Sequence, residues 1–513
     1  MGERLYNGIV LPDVWPPRDV ERQSLAPIRV PYLETPPEVI DISVGRQLFV
    51  DDFLIDKTSL ACKYHHPVKY VGNPVFKAQT PVERETLPCA CPKSGGVWYD
   101  EAEQKFKMWY EAGWLNKLAY AESADGIHWD RPALNEVPGT NLIFPGHEMD
   151  STAVFMDADA PADEKYKLFA RDPGGLKPGL AAVSGDGIRW ERVTETAPLE
   201  DRSTMFYNPF RKKWVYSIRR VLDNKRVRLY RECDDYIKGA KWTEDEQAFW
   251  LRVDRRDQPD PNIGMMPQLY NLDAVAYESV MLGMFQIHLG PENSVCRDTG
   301  IPKITELQAC FSRDGFHFDR PDRTAFIPAS RTKAAWDRGY VQSVGGLCAV
   351  SEEELWFYYI GFQGDEGRTL PYGRLGGMHD NAATGIAKLR RDGFASLRGD
   401  GFVQTRKLVC PGKRYLFVNA QMQRDGLRAE LQTADGTPVL GYTLEDSIPM
   451  TGDSARRQMT WKDHEALPQT AEPFRLRFSM RQGDFYAFWL ARDARGESDG
   501  MRAAGHFPGK EHP

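Results

Sequence analysis

The chain has 513 residues, 12% of them aromatic, with 44 Gly, 35 Pro and a formal net charge of −7. That length suits two domains, and the composition suits many short strands and turns better than long helices. The acidic balance argues against a nucleic-acid or anionic membrane partner, and no run of about 18 apolar residues is present to span a bilayer.

Residues 1–45, rich in Pro, read as an arm on the surface. Their start, MGERLYNGIVLPDVWPP, has neither a basic leading region nor a continuous apolar stretch, so a cytoplasmic location is expected, or a secreted one if a leader has been trimmed. The strand-like RQLFVDDFLI (Arg46 to Ile55) is expected to close a ring of repeated units, with Asp51 and Asp52 as a second, catalytic reading.

The repeat itself is a short phrase. SADGIHW (Ser123 to Trp129) returns as SGDGIRW (Ser184 to Trp190), SRDGFHF (Ser312 to Phe318), a degenerate RRDGFAS (Arg390 to Ser396) and a stretched ECDDYIKGAKW (Glu232 to Trp242). Internal repeats mark units that bury their apolar faces only against one another. Asp-Gly after a strand signals a turn, because Gly accepts a positive φ and the Asp carboxylate binds nearby amides. Two strand-like runs precede each copy in blades 1, 2 and 3: SGGVWYD with KFKMWYEAG, DSTAVFMD with KYKLFA, and DRSTMFYN with KKWVYSIRR. DAVAYESV with MLGMFQIHLG and SVGGLCAV with ELWFYYIGF continue the series. Five such units predict an all-β fold, a five-bladed β-propeller over residues 46–403. After Asp400 the pattern becomes alternating strands and turns, which predicts a C-terminal antiparallel β-sandwich over residues 404–513.

Eight cysteines are scattered along the chain, as expected of buried free thiols in a reducing compartment. Cys62, His65, His66, Cys89 and Cys91 match no zinc spacing, so no metal and no cofactor is expected.

Candidate chemistry comes from the inner strands, which converge on a central funnel. Aligned by their turns, Asp150, Asp201 and Asp273 share one position, each seven residues before its strand's end at Asp157, Asn208 and Val280. Glu83 and Glu85 approach from blade 1, and Glu278 is a further candidate acid. Converging carboxylates repel one another, which raises the pKa of one and suits it to general acid catalysis. Two carboxylates in such roles are what glycoside hydrolysis requires. Arg171, Asp172, Arg202, Arg219, His288 and Gln342 are candidate hydroxyl contacts, and Trp114 and Trp336 candidate stacking platforms.

A five-bladed propeller with inner-strand acids and a trailing sandwich resembles glycoside hydrolase families 32, 43, 62 and 68 and the family 130 phosphorylases. Phe169 to Pro173 (FARDP) resembles the Arg-Asp-Pro motif of family 32, and Arg231 to Asp234 (RECD) its Glu-Cys motif. That family's Asn-Asp-Pro-Asn-Gly motif is absent. LFVDDFLI, DRSTMFYNPFRKKWVYSIR and LDAVAYES are similar to phrases in uncharacterised bacterial family-32-like proteins. The resemblance implies an exo-acting glycoside hydrolase on an oligosaccharide or small glycoside, such as a fructo- or arabinofuranoside, in a chain able to form a homo-oligomer. A glycoside phosphorylase and a non-catalytic carbohydrate-binding propeller are the alternatives. A sialidase-like enzyme needs six blades.

Overall fold

The repeated phrase folds into a repeated turn in the computed structural model, which describes residues 2–368 and 377–508; residues 509–513 of the expected sandwich lie outside it. Asp125 Oδ1 accepts from the amides of Ile127 and His128 at 2.9 and 2.8 Å. Asp186 does the same for Ile188 and Arg189, and Asp314 for Phe316 and His317. In each, the Ser two residues earlier accepts from the Gly amide, with φ of 73°, 77° and 85° at Gly126, Gly187 and Gly315.

These turns also clip neighbouring blades together. Tyr358 Oη donates to the Gly126 carbonyl at 2.8 Å, Trp109 Nε1 to that of Gly187 at 2.6 Å, and Trp250 Nε1 to that of Phe316 at 2.7 Å. The donors lie in blades 5, 1 and 3, and their acceptors in blades 1, 2 and 4. The other two copies have been put to different use: Asp235 caps the short helix Tyr236–Gly239, and Asp392 faces Arg46 across the domain interface.

The inner strands are Ala90–Cys91 with Val97–Asp100, Asp150–Met156, Thr204–Asn208, Gln268–Glu278 and Gly339–Val350. Each pairs antiparallel with the next strand of its own sheet, so the five sheets stand as five blades. An eleven-stranded sheet forms the second domain. The all-β, five-bladed architecture with a trailing sandwich is the one expected.

Ring closure is corrected. Val68–Lys69 and Phe76–Lys77, not residues 46–55, complete blade 5 by pairing with Ala382–Arg390. Gln47–Leu48 and Ile55–Thr58 instead join the sandwich sheet, beside Gly483–Ala491 and Gly401–Thr405. The physical reason is that this segment is apolar on both faces. Leu48 and Val50 enter the propeller core while Phe49, Phe53 and Leu54 enter the sandwich core. An outer blade strand has one wet face, which Val68, 74% exposed, illustrates. Asp51 is accordingly no catalyst here: it forms a buried two-pronged ion pair with Arg313.

The arm also contributes Val39–Asp41 to the sandwich sheet, parallel to Lys407–Val409. All eight cysteines are free. No helix among the described residues is long and apolar enough to cross a membrane.

Because the Asp314 turn is buried and satisfies two amides, Asp314→Ala should cost about 2–3 kcal/mol. The expected readout is a lower urea midpoint with unchanged slope; an unchanged midpoint would contradict the clip.

Candidate active site

Four of the five inner strands enter the funnel through a residue in left-handed conformation: Lys93 (φ 44°), Ser151 (63°), Arg202 (58°) and Tyr340 (50°). Such backbone is costly for residues with a Cβ, and its recurrence at one level of four blades marks a shared constraint. Asp150 and Asp201 each stand immediately before such a residue, so they occupy equivalent positions at the mouth. Asp273 does not. It lies inside the regular ladder of its strand, opposite Met284 and beyond the register shift between Leu269 and Asn271, so the seven-residue phase is corrected for this member.

Asp273 is a hub. Ser94 Oγ donates to its Oδ1 at 2.8 Å, while Ser343 Oγ, Asn271 Nδ2 and Arg202 Nη2 reach Oδ2 at 2.5, 2.8 and 3.4 Å. Those donors come from blades 1, 5, 4 and 3. With both oxygens bonded and 5% exposure, the carboxylate pins the blades together and has little capacity left for substrate.

Asp150, mostly buried, lies 3.6 Å from Lys93 Nζ and 3.3 Å from Arg171 Nη1. Lys93 also donates to Glu111 Oε1 at 2.5 Å. Burial pushes the Glu111 carboxyl above its ordinary pKa, the Asp150 charge adds to this, and Lys93 opposes it. Glu111 escapes a reading of the sequence because it sits in a second strand, Lys105–Ala112, among core residues. The one acidic residue in that largely buried run, KFKMWYEA, is the available signal.

Asp201 is the accessible member, its side chain 35% exposed and 2.5 Å from Arg219 Nη1. Burial pushes its carboxyl up, but the charges of Arg219, Lys303, Arg171 and Arg228 outweigh this and hold it below the ordinary range. Arg171 thus acts on both Asp150 and Asp201. Arg202, beside Asp201 in sequence, turns to Asp273 instead.

Aromatic and imidazole groups wall this cluster. Tyr270 and Tyr340 share a hydroxyl–hydroxyl hydrogen bond, and Lys303 Nζ stands 5.0 and 4.4 Å from their ring centres. Trp114 is buried, stacked on His379 with Lys93 Nζ 4.3 Å above it, so it borders the cluster rather than presenting an open platform. His288 is buried beside Arg226, and burial with the charges of Lys303 and Arg226 holds it well below its ordinary pKa. Gln342 is buried, and neither amide atom is hydrogen-bonded among the described residues.

Other expected residues lie elsewhere. Glu278 is at the far end of its strand, where it pairs with Arg391 at 3.0 Å and Arg46 at 3.5 Å under the sandwich; it latches the two domains. Glu83 is buried in a loop network of Arg131, Tyr110 and the amides of Gln79 and Thr80. Glu85 is exposed and bonds Asn116. Asp172 turns outward to His147 at 3.3 Å. Trp336 packs on Tyr359 over Gly361 and Gly385 of blade 5, away from the cluster. The Glu232 of the RECD motif pairs with Arg211 and Tyr230 in the third strand of blade 3.

No protein-family model and no curated protein matches the sequence. Among solved structures, the chain is similar to an N-acetylgalactosamine deacetylase from F. plautii in complex with blood group B trisaccharide. That match has 14% identity and a TM-score of 0.41, covering 66% of this chain and 96% of the other. A Bombyx mori GH32 beta-fructofuranosidase matches at 12% identity and TM-score 0.35, over 84% of this chain and 94% of its own. The catalytic domain of a Coprinopsis cinerea GH62 alpha-L-arabinofuranosidase matches at 10% and 0.39, over 63% and 97%. The five-bladed β-propeller rests on the five sheets of the chain itself.

The two carboxyls should titrate in opposite directions. Asp201, with its pKa depressed, adds stability that is complete above its unfolded value of about 3.9 and is lost as pH falls through the folded value. Glu111, with its pKa raised, has the opposite sense: the fold gains as pH falls through its folded value toward about 4.3. Selective ¹³C labelling should show Asp201 titrating below and Glu111 above these reference values. The reverse order would contradict the assigned electrostatics.

Proposed function

We propose that this chain is a glycoside hydrolase acting at the funnel mouth. The observation that carries this is the split between two carboxyls of one cluster: Asp201 accessible and held ionised, Glu111 buried with its proton affinity raised. Environments that push two acids apart supply an acid and a base at the same pH. Glycosidic cleavage uses such a pair.

In this reading Asp201 is the base or nucleophile. It needs no proton removed to act, and it is the most exposed carboxylate of the group. The acid side belongs to the Glu111–Lys93–Asp150 group, in which Lys93 contacts both carboxylates and Asp150 faces the mouth. Arg171 and Arg219 orient Asp150 and Asp201, and Asp273 sets the blade positions without touching substrate. Tyr270, Tyr340 and Arg219 offer hydroxyl contacts. Exo-action belongs to the proposal, because Asp201 is about one-third exposed while Asp150, Asp273 and Arg171 are nearly enclosed, which suits one terminal sugar better than a long chain. A furanoside such as a fructo- or arabinofuranoside is the first substrate to try.

A screen of nitrophenyl furanosides and pyranosides, with and without phosphate, tests the reaction class. Asp201→Asn should lower kcat by at least ~10²-fold on the substrate found, with cooperative unfolding retained. Asp273→Asn should instead lower the melting temperature, because it weakens a hydrogen-bonded buried charge pair, a change that costs about 3 kcal/mol when one partner is lost. Equal kcat in wild type and Asp201→Asn would overturn the assignment, and sugar binding with no turnover on any glycoside would favour a binding propeller.

A further inference from the structure

The funnel holds cations with no carboxylate at ion-pair distance among the described residues. Asp150, Asp201, Asp273 and Glu111 each have a basic partner within 4.0 Å. Among the described residues, Lys303, Arg226 and Arg228 have no acidic one. Arg228 is fully buried and donates to the carbonyls of Arg202 and Tyr270. Arg226 donates to Gln268 Oε1 at 2.6 Å and meets His288 Nδ1 at 3.4 Å, and its Nε has no partner among the described residues. Lys303 is 3% exposed, and its ammonium faces the Tyr270 and Tyr340 rings. Arg202, 2% exposed, spends one nitrogen on Asp273 and leaves Nε and Nη1 without a hydrogen bond among the described residues.

Burying a cation without an anion costs several kcal/mol. A fold meets that cost repeatedly at one place only where something else supplies the charge. The effect of the surplus is felt by the neighbours: Lys303 helps hold both buried imidazoles, His288 and His379, neutral, after burial itself. The imidazoles therefore add no further positive charge, and the site is built to receive a negative one. Its position fits a ligand, because Lys303 and Asp201 both act on Tyr340 and on each other at the accessible end of the funnel.

We propose that the funnel binds an oxyanion beside the sugar, seated against Lys303 and the Tyr270–Tyr340 pair, so that the ligand is an anionic sugar or a neutral sugar taken together with inorganic phosphate. This rests on the funnel being the active site and names the class of ligand it takes. A planar carboxylate or a tetrahedral phosphate both match a cradle of ammonium, guanidinium and phenol donors.

The test is calorimetric titration of the full chain with D-glucuronate, inorganic phosphate and D-glucose. Glucuronate or phosphate should bind, glucose at least about tenfold more weakly, and the anion's affinity should fall as sodium chloride is raised. Lys303→Met should weaken anion binding by at least about tenfold and leave the unfolding midpoint equal or higher, since it removes an unpaired buried charge. Lys303→Arg should restore part of the affinity. Phosphate binding accompanied by phosphate-dependent turnover assigns the anion to the co-substrate, and glucuronate binding with cleavage of a nitrophenyl glucuronide assigns it to the sugar; either supports the proposal. Glucose binding as tightly as glucuronate and phosphate, or unchanged anion affinity in Lys303→Met, overturns it. Should that variant fail to fold, Arg226→Met is read the same way. Titration needs no turnover, so anion binding without cleavage of any glycoside contradicts the hydrolase reading alone. Cleavage of neutral glycosides without anion binding contradicts this proposal alone.

Discussion

One carboxylate holds the centre of the propeller. Asp273 receives Ser94 from blade 1, Arg202 from blade 3, Asn271 from its own blade 4 and Ser343 from blade 5. Blade 2 joins through Ser151, whose Oγ accepts the Arg202 amide at 2.8 Å. A buried anion with both oxygens bonded is stable only while its donors stay in place. The five inner strands therefore have a common reference point, and the residues one level above it inherit fixed positions. That is the kind of supporting layer a reacting group needs.

The level above is where the backbone is strained. Lys93, Ser151, Arg202 and Tyr340 take left-handed conformations, and each redirects its strand where the chain enters the funnel. Asp150 and Asp201 are carried by that redirection to the mouth, among more basic groups than they can neutralise. The result is a small volume with one accessible ionised carboxylate, one buried acid and a positive remainder. The other end of the inner strands is built differently. There Glu278, Arg391, Arg46 and Asp392 lie in a buried ion-pair network against the sandwich, two acids against two bases. The propeller thus has a locked end and an electrostatically open one.

Much of the fold is legible in the sequence because the turn phrase is a local chemical device. A Ser, an Asp and a Gly at fixed spacing satisfy three amides wherever they occur, so three intact copies and two altered ones announce five units. The closing strand is not legible, because Val68–Lys69 and Phe76–Lys77 are too short and too wet to stand out, while the apolar 46–55 segment looks like a strand in any setting. Counting back from the turn reaches Asp150 and Asp201, and the count works as long as strands are equally bulged. Asp273 sits in a strand whose bulge falls earlier, so the same count reaches a deeper level. Glu111 and Lys303 escape the sequence for a different reason. Neither lies on an inner strand, and their significance comes from what is opposite them across the funnel or from the lack of it, which spacing along the chain does not encode.

A cleft of about 1010 Å³ lies elsewhere, between the N-terminal arm and the Asp314 turn, and its lining carries none of the funnel charges. A crystal structure of the Asp201→Asn chain soaked with the best-bound sugar or oxyanion therefore tests the account most directly. The account predicts ligand density between the substituted side chain, Arg219, Tyr340 and Lys303, with Asp273 still holding its four donors. Density in the arm cleft, with an empty funnel, would contradict it.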